Sequence, residues 1–438
     1  MNRIAPLMRK LLYHLGKTLL GLALAAQAPA AFGQSTDLAE LTLAQAELLL
    51  QSRNRELLAA RRAVEAAQAN TLTAGARPNP TLSLGVAAIN PQAGVGSGPW
   101  RDKTVDSSIR VDQVIERGER RELRVAAAQS LASASAEDLS DAYRLQRVAL
   151  RSAYHDLLFA QDKTTIARDN AMLFGASTRA AELRLKAGDI AAADVARLRV
   201  DALRAANDAR AAEGDLRRAQ LALAYLIGAE AQAGAIQAVD PWPTLADMGE
   251  GGVADELIER RPDVRAAKSR IEAARSAREL ARSLGTRDVT VGAQFDHFPV
   301  GSGANAFGTG NSYGVFVSMP FFARYRYEGE IQRAEVDYNA ALEALDKARA
   351  QARSEFSRTL SDLEAAGERM RRHDESLLVE AKKAADSAEF AYKNGAIGVM
   401  DLLDARRTLR AIQVDAASTR NDYARALSAW LISSGKVE

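Results

Sequence analysis

The chain has 438 residues and no cysteine; 5% of the residues are aromatic, 26% are charged and the formal net charge is +2. Without cysteine, a disulfide scaffold, a cysteine-ligated metal, a thiol nucleophile and lipid attachment through cysteine are excluded. The balanced charge argues against a dedicated nucleic-acid-binding protein, and the many leucines and alanines with few aromatics favour long helices.

The N-terminal segment 1–33 has the pattern of a secretory signal peptide. Its four basic residues and no acidic residue come before a largely apolar stretch at 18–31, and Ala31-Phe32-Gly33 fits a signal peptidase site. We predict cleavage before Gln34. The alternative is a single membrane anchor, but the apolar run is shorter than the ~20 residues of a spanning helix. Cleavage leaves 54 basic residues against 56 acidic ones, so the mature chain is slightly acidic.

The rest of the chain repeats itself at a shift of 207 in residue number, the sign of an internal duplication. Gly85 falls on Gly292, and the segment 181–194 falls on 388–401. Between these segments the shift is 206, which places Ala128 on Ala334. We predict a first structural repeat at 34–228, a linker at 229–252 and a second repeat at 253–438.

Both repeats show the same order of elements. A helix (41–74 and 253–284) comes first, followed by two strand-like segments around a Gly-rich loop. A very long Ala-rich helical stretch (119–186 and 328–393), a Gly-centred turn and a closing helix (191–226 and 399–431) complete each repeat. About 68 residues of helix extend roughly 100 Å, too far for one globular core, which favours a coiled-coil-like bundle. Several shorter helices are the alternative, although neither long stretch contains the proline that most strongly breaks helices.

The strand-like segments alternate apolar and small polar residues, so each has one apolar and one polar face. Phe316 interrupts the alternation in the last segment, and the second segment is the least regular. The pattern is typical of a transmembrane barrel, but four strands do not close one, and open edges are not tolerated in lipid. Several copies must therefore share a barrel, unless the strands form a small soluble sheet. The segments are Thr81–Ala88, Ser107–Ile115, Val289–His297 and Ser312–Met319.

No catalytic or metal-binding pattern is present in the sequence. His155, His297 and His373 lie far apart without the spacing of metal ligands, and no Gly-x-Ser-x-Gly elbow occurs. The Gly-rich runs at 94–98 and 301–303 do not open a helix after a buried parallel strand, as phosphate loops do. We therefore predict a protein that is not an enzyme and has no cofactor or metal site.

Three segments resemble the TolC-like outer membrane factors, the exit ducts of Gram-negative efflux systems. Residues 259–264 (Glu-Arg-Arg-Pro-Asp-Val) open the second half as is common in this family, and residues 392–404 look like its periplasmic turn. Residues 320–331 look like the CzcC-like branch that serves heavy-metal efflux. The signal peptide, the repeat and the order of elements match as well, so the resemblance covers essentially the whole mature chain.

The resemblance implies a mixed α and β fold, in which a long α-helical coiled-coil barrel continues into a transmembrane β-barrel. Each chain supplies four strands, and trimerisation completes the barrel in the Gram-negative outer membrane, with a large periplasmic part. Because no cysteine is available for the lipid anchor of many relatives, the barrel alone would hold the protein in the membrane.

The function implied is that of an outer membrane channel in a tripartite RND-type efflux system, exporting heavy-metal cations and gated at its periplasmic tip. Its partners would be two further copies of the chain, a periplasmic adaptor (membrane fusion protein), an inner-membrane RND pump and outer membrane lipid, with no nucleic acid. Two alternatives stay open: a duct for drugs or other small molecules, and a structural periplasmic coiled-coil protein. The latter does not explain the two strand hairpins.

The resemblance also assigns roles to six residues. Asp401 and Asp404, one helical turn apart, match the pore constriction, and Tyr392 with Asp194 matches a latch that holds the closed state. An arginine that the family can carry two residues after the turn glycine is replaced here by Ile397, which puts that latch in doubt. The remaining two residues, Gly188 and Gly395, match the periplasmic turns that contact the adaptor.

Overall fold

The computed structural model describes residues 38–89, 92, 105–245, 255–298 and 310–435. The predicted signal peptide and its cleavage site lie outside these residues, as does most of both Gly-rich loops. Within the described ranges the helices and strands follow the predicted order, except that the predicted first helix of each repeat is divided in two, at Asn54 and at Arg261. The strands are β1 (Thr81–Ala87), β2 (Asp106–Ile115), β3 (Val289–Phe298) and β4 (Gly310–Ser318); the helices are α1 (Leu43–Arg53), α2 (Arg55–Gly75), α3 (Arg120–Lys186), α4 (Ala192–Ile227), α5 (Asp255–Arg260), α6 (Pro262–Ser283), α7 (Glu328–Arg372), α8 (Leu378–Lys393) and α9 (Val399–Ser433).

The two long helices of the halves are not equivalent. Helix α3 runs for 67 residues without a break, which corresponds to about 100 Å. Its counterpart consists of α7 with 45 residues, a π-helical turn at His373–Leu377, and α8 with 16 residues. The predicted helical stretch at 328–393 therefore has the expected length, but a π-helical turn interrupts the α-helix within it.

A buried apolar stripe on each long helix holds the helices together. In the first half, α3 packs its stripe against α1 and α4; in the second, α7 packs against α9. Each fully buried Leu contributes about 1.5–3 kcal/mol relative to an exposed one, so these stripes outweigh the weak intrinsic stability of isolated helices. The first cluster includes Leu49, Leu50, Leu150, Tyr154, Leu157, Leu223 and Ile227, and the second comprises Leu363, Ala366, Met370, Tyr423 and Trp430.

The four strands form one antiparallel sheet in the order β1-β2-β3-β4, so both halves contribute to a single layer. One face is apolar and includes Leu84, Ile109, Phe295 and Tyr313, which are direct neighbours across the sheet. No part of the chain that the structure describes covers this face: Tyr313 is 82% exposed and Val315 80% exposed. The least regular predicted segment, β2, places Ile109, Val111 and Ile115 on this face, and Gln113 and Val114 are its exceptions to the alternation.

Phe316 is explained by its neighbour on the polar face. The Arg110 guanidinium lies 4.5 Å from the centre of the Phe316 ring and makes a bidentate ion pair with Asp112, with N–O distances of 2.8–2.9 Å. Asp112 in turn lies over Gly292, its partner across the sheet, where a Cβ atom would clash. The cation–π contact with Arg110 therefore explains why an aromatic side chain occupies a position on the polar face.

The linker after α4 packs on the side of α3. The Tyr154 hydroxyl lies 2.7 Å from Asp240 Oδ2 and 2.9 Å from Leu41 O. These two contacts join α3 to the linker and to the residue that precedes α1 by two positions. Trp242 stacks on His155 and donates a hydrogen bond from Nε1 to Asp162. Burial lowers the pKa of His155 to about 4, so its ring is neutral at neutral pH.

The motif at 259–264 has a structural role. Pro262 is the first residue of α6, where its missing N–H costs nothing. Arg261 is buried and makes ion pairs with Asp263 and with Glu355 of α7, at 2.8 and 2.9 Å. Burial raises the pKa values of both carboxyl groups, but Arg261 and Arg144 together outweigh this effect, so both pKa values are lowered. Arg144 itself pairs with Glu355 at 2.8 Å. The motif therefore fastens α6 to α7.

Removal of the Arg261 side chain should destabilise the protein. We expect Arg261→Ala to lower the free energy of unfolding by about 1–3 kcal/mol, because the half-buried Asp263 loses its ion pair and Glu355 keeps only its pair with Arg144. The exposed neighbour provides the control: Arg260→Ala removes only a surface pair with Glu256 and should cost less than about 1 kcal/mol. Thermal unfolding in detergent, followed by circular dichroism, measures both effects, and equal losses would contradict this account.

The same variant should change the pH dependence of stability. Because Asp263 and Glu355 have lowered pKa values in the folded protein, their contribution is complete above their unfolded pKa values, near 4. It is lost as the pH falls through the folded values. We expect Arg261→Ala to lose less stability than the unaltered protein between pH 5 and pH 3 (roughly the range of these titrations). Parallel acid-unfolding curves would contradict this prediction.

Candidate gate at the tip of the helical hairpins

Each half ends in a helical hairpin, α3–α4 in the first and α8–α9 in the second. The turns contain Gly188 with φ +84° and Gly395 with φ +73°, which are left-handed conformations that favour glycine. Both turns close with the same backbone bonds, from the glycine N–H to the carbonyl three residues back and from the next N–H to the carbonyl five residues back. The predicted turn glycines therefore occupy equivalent positions.

Apart from the glycine and its two chain neighbours, no heavy atom of the described residues lies within 4 Å of a Cβ built on either glycine. A substitution there is opposed by the positive φ and not by crowding, and a larger side chain would project into open space. The two turns thus present a free surface within the single chain.

Asp401 and Asp404 lie in the first two turns of α9, on the face turned away from the chain. Between them Leu402 and Leu403 are buried, and Leu403 packs in the apolar cluster that joins the two hairpins. Asp401 Oδ2 accepts a hydrogen bond from the Gly398 N–H at 3.2 Å and so caps the helix. In the described part of the chain, neither carboxylate has a Lys or Arg within ion-pairing distance. The predicted pair of acidic side chains is therefore exposed, adjacent and uncompensated.

The proposed latch residues are not in contact with each other in this conformation. The Tyr392 hydroxyl accepts a hydrogen bond from Arg184 Nη1 at 3.0 Å, and Asp194 Oδ1 lies 4.0 Å from Arg197. Among the described residues, no hydrogen bond joins Tyr392 to Asp194. Tyr392 still connects the two hairpins, because Arg184 is in α3 and Tyr392 is in α8.

Two ion pairs between the hairpins were not predicted from the sequence. Arg407 of α9 pairs with Asp201 of α4, and Arg410 pairs with Asp208 at 2.8 Å. The Asp201 side chain is only 9% exposed, whereas that of Asp208 is 50% exposed. Charges on helices of different halves leave no local pattern in a sequence, so only the packing shows them.

Within the second hairpin, a further cluster joins α8 to α9. Glu389 pairs with Lys393 on its own helix at 2.9 Å and with Arg406 on α9 at 3.1 Å. Hydrogen bonds from Lys393 and then from Arg406 lower the pKa of Glu389, so it stays ionised at neutral pH. The tip of the hairpin is held by polar contacts more than by a deep apolar core.

Two negative observations bear on the nature of the site. No group of three or more His, Asp and Glu side chains able to hold a metal ion occurs among the described residues. In the same part of the chain, no helix combines the length and hydropathy needed to cross a bilayer.

Comparison with known proteins identifies the family to which this chain of two helical hairpins and one sheet belongs. The sequence profile of the outer membrane efflux proteins matches residues 48–229 and again residues 253–431. The chain therefore belongs to the outer membrane efflux protein family, whose members are Gram-negative outer membrane channels with a large periplasmic helical part. The two matched segments lie on either side of the linker.

Relatives of different specificity are similar to the chain. The pyoverdine export outer membrane protein OpmQ of Pseudomonas putida is 26% identical over 82% of this chain and 78% of its own length. The cobalt-zinc-cadmium resistance protein CzcC of Cupriavidus metallidurans is 25% identical over 84% of each chain.

Solved structures show the same fold. The CusC transmembrane channel superposes with a TM-score of 0.73 at 17% identity, over 90% of this chain and 91% of CusC. The outer-membrane channel OprN gives a TM-score of 0.71 at 22% identity, over 90% of this chain and 89% of OprN. The TolC-like fold and the outer membrane assignment expected from the sequence are thereby confirmed.

The burial of Asp201 predicts unequal contributions from the two ion pairs between the hairpins. We expect Arg407→Ala to destabilise the tip by about 1–3 kcal/mol, because a buried carboxylate loses its partner. Arg410→Ala should cost less than about 1 kcal/mol, because Asp208 remains solvated. Limited proteolysis at the two turns reports tip opening, and thermal unfolding reports stability.

A charge swap provides the control. Asp201→Arg combined with Arg407→Asp should recover part of the protease resistance that each single variant loses, because the pair is restored in reverse. If Arg410→Ala opens the tip as much as Arg407→Ala, burial does not decide the strength of these pairs.

Proposed function

We propose that three copies of this chain form an efflux duct across the outer membrane. The observation that carries this proposal is the four-stranded sheet, which exposes an apolar face and leaves the outer edges of β1 and β4 without a partner within the described part of the chain. Three sheets joined edge to edge give a closed barrel of twelve strands, apolar outside and polar inside. The long helices of the three copies would continue the passage into the periplasm.

The same assembly would bring Asp401 and Asp404 of each copy close to the threefold axis. Two adjacent rings of three carboxylates would then narrow the passage at the tip. The support for this arrangement is that both side chains are exposed and uncompensated within the described part of one chain, while Leu402 and Leu403 between them anchor the helix. Rings of carboxylates attract cations and repel one another, so they would bind cations and resist full ionisation.

The closed state would depend on contacts between the hairpins. Tyr392 is proposed as a latch residue that acts through its present hydrogen bond with Arg184. Asp194 would bond to Tyr392 only after the hairpins shift. The Arg407–Asp201 pair would support the same closed arrangement. The turns at Gly188 and Gly395 would contact a periplasmic adaptor (membrane fusion protein), which couples the duct to an inner-membrane RND pump.

Heavy-metal cations are the proposed cargo. The similarity to CzcC, the residues 320–331 and the acidic tip support this choice. OpmQ, which is named for pyoverdine export, is similar to a comparable degree and supports the alternative of a small organic cargo. Deletion of the gene distinguishes the two: sensitivity to cobalt, zinc or cadmium supports metal export, whereas retained metal resistance with loss of siderophore or drug export supports the alternative.

The carboxylate rings give a prediction that does not depend on the cargo. In planar bilayers, multivalent cations added on the periplasmic side should block the current of the unaltered protein. The combination of Asp401→Asn and Asp404→Asn should abolish most of that block, because the charge at the constriction is removed. Asp346→Asn, at a solvated position on α7, is the matched control and should leave the block unchanged. A block that survives in the tip variant would place the cation site elsewhere.

Substitution of the turn glycines tests the adaptor surface. We expect Gly188→Asp and Gly395→Asp to abolish export, because each distorts a turn with positive φ and adds a charge at the contact. Trimers in the outer membrane, detected by heat-modifiable migration on gels, should persist, because the turns lie far along the helices from the sheet. Normal export in both variants would exclude these turns from the adaptor contact.

A further inference from the structure

The π-helical turn between α7 and α8 distinguishes the two halves of the molecule. At its end, the Leu378 N–H donates to the His373 carbonyl, a bond that spans one residue more than the α-helical bond does. Helix α3 covers the equivalent stretch of the first half as an uninterrupted α-helix. A π turn inside an α-helix often marks a functional site and has a definite cause.

The positions of buried residues show what that cause is. Before the π turn, buried residues of α3 match buried residues of α7 whose numbers are higher by 206; after it, the difference between matching residues is 207. One extra residue therefore lies in the second half between 370 and 385, and the π turn falls inside this interval. The pairs before the turn are Leu150 and Phe356, Leu157 and Leu363, Ala160 and Ala366, and Thr164 and Met370; those after it are Thr178 and Ala385, and the glycines Gly188 and Gly395.

An extra residue in a continuous α-helix would rotate everything after it by about 100°. The apolar stripe would then leave its partner helix. A π turn widens one turn of the helix to hold the additional residue, so the stripe keeps its direction on both sides. The structure shows this outcome, because Met370 before the turn and Ala385 after it are both buried.

We propose that the π turn accommodates a one-residue insertion in the second half and acts as the pivot about which the α8–α9 hairpin bends. The second part of this proposal rests on the proposed gated duct. Two contacts fix the π turn against the middle of α9: Asp374 pairs with Arg420 at 2.8 Å, and His373 Nε2 lies 3.2 Å from Asp415. The pivot therefore has a defined position along α9.

The packing beyond the π turn is light, as bending requires. Of the 16 residues of α8, only Ala385 is buried. Over the matching stretch, α3 buries Phe174, Thr178 and Ala181. Segments with few buried apolar contacts open and bend at lower free-energy cost than densely packed ones. The first hairpin is therefore the rigid one of the pair and the second the pliant one.

Single-residue deletions in the full-length chain test the insertion. Deletion of Ser376, which is exposed within the π turn, should restore a continuous α-helix and keep the apolar stripe in phase. We expect trimers to form and the melting temperature to stay within about 4 °C of the unaltered value or to rise. The matched control is deletion of Asp169, which is exposed at the equivalent point of α3. Helix α3 has no inserted residue, so this deletion would rotate the part of the helix that follows it. Trimer yield and melting temperature should therefore both fall.

The pivot is tested on the Ser376 deletion by two further measurements. Backbone amides at 372–382 should exchange with solvent more slowly, and export should fall although trimers persist. If the Ser376 deletion is as damaging to assembly as the Asp169 deletion, the π turn is not an inserted residue. If it assembles and exports normally, the turn is not a pivot. Should the unaltered chain prove not to export at all, the proposed function fails, while the assembly and melting data still decide the insertion.

Discussion

The structure depends on a four-stranded sheet whose exposed apolar face and open edges call for further copies of the chain. Four antiparallel strands expose an apolar face that includes Tyr313 and Val315, and both edge strands have backbone groups without partners in the described part of the chain. In lipid, an unpaired backbone group costs several kcal/mol, so an open sheet is not a stable end point there. The remaining architecture is consistent with a subunit that must be completed by further copies.

The helices are attached directly to this sheet. Arg120 at the start of α3 pairs with Asp288, which precedes β3, and thereby fixes the sheet to the helical part. Glu119 and Tyr327 both adopt positive φ where the chain passes from sheet to helix, so each half leaves the sheet through a similar bend. From there the helices run to two hairpin turns about 100 Å away, a distance set by the length of α3. Long helices thus connect the sheet to the two distant hairpin turns.

The two ends are stabilised by different interactions. Near the linker, the chain is held by Tyr154, Trp242 and a cluster of fully buried leucines, together with the buried Arg261 pairs. Near the tip, the pair of Arg407 with the buried Asp201, the more exposed pair of Arg410 with Asp208 and a small apolar cluster join the hairpins. Because ion pairs of solvated groups are weak, the Arg410–Asp208 pair adds less to the tip than the buried leucines add to the region near the linker.

Much of the fold was predictable because its signals are local. Alternation located the four strands, the absence of proline located the long helices, and the glycines located both turns. The face of β2 and the role of Phe316 required the register, since Arg110 stacks on a ring that belongs to the other half of the chain. The pairs of Arg407 and Asp201, and of Tyr392 and Arg184, likewise join distant segments. The change of repeat spacing from 206 to 207 was visible in the sequence, but the π turn was missed because only the buried positions show where in the long helix the extra residue lies.

The most direct test of the account is covalent linkage of neighbouring sheets. The natural chain has no cysteine, so introduced pairs react without background. Leu84→Cys in β1 is combined in turn with Tyr313→Cys, Val315→Cys or Val317→Cys in β4, and oxidised in outer membranes. The account predicts that one pair gives a ladder on non-reducing gels that ends at a trimer, while single-cysteine variants give none. A ladder that ends at a dimer, or no linkage with any pair, would contradict closure of the barrel by three copies.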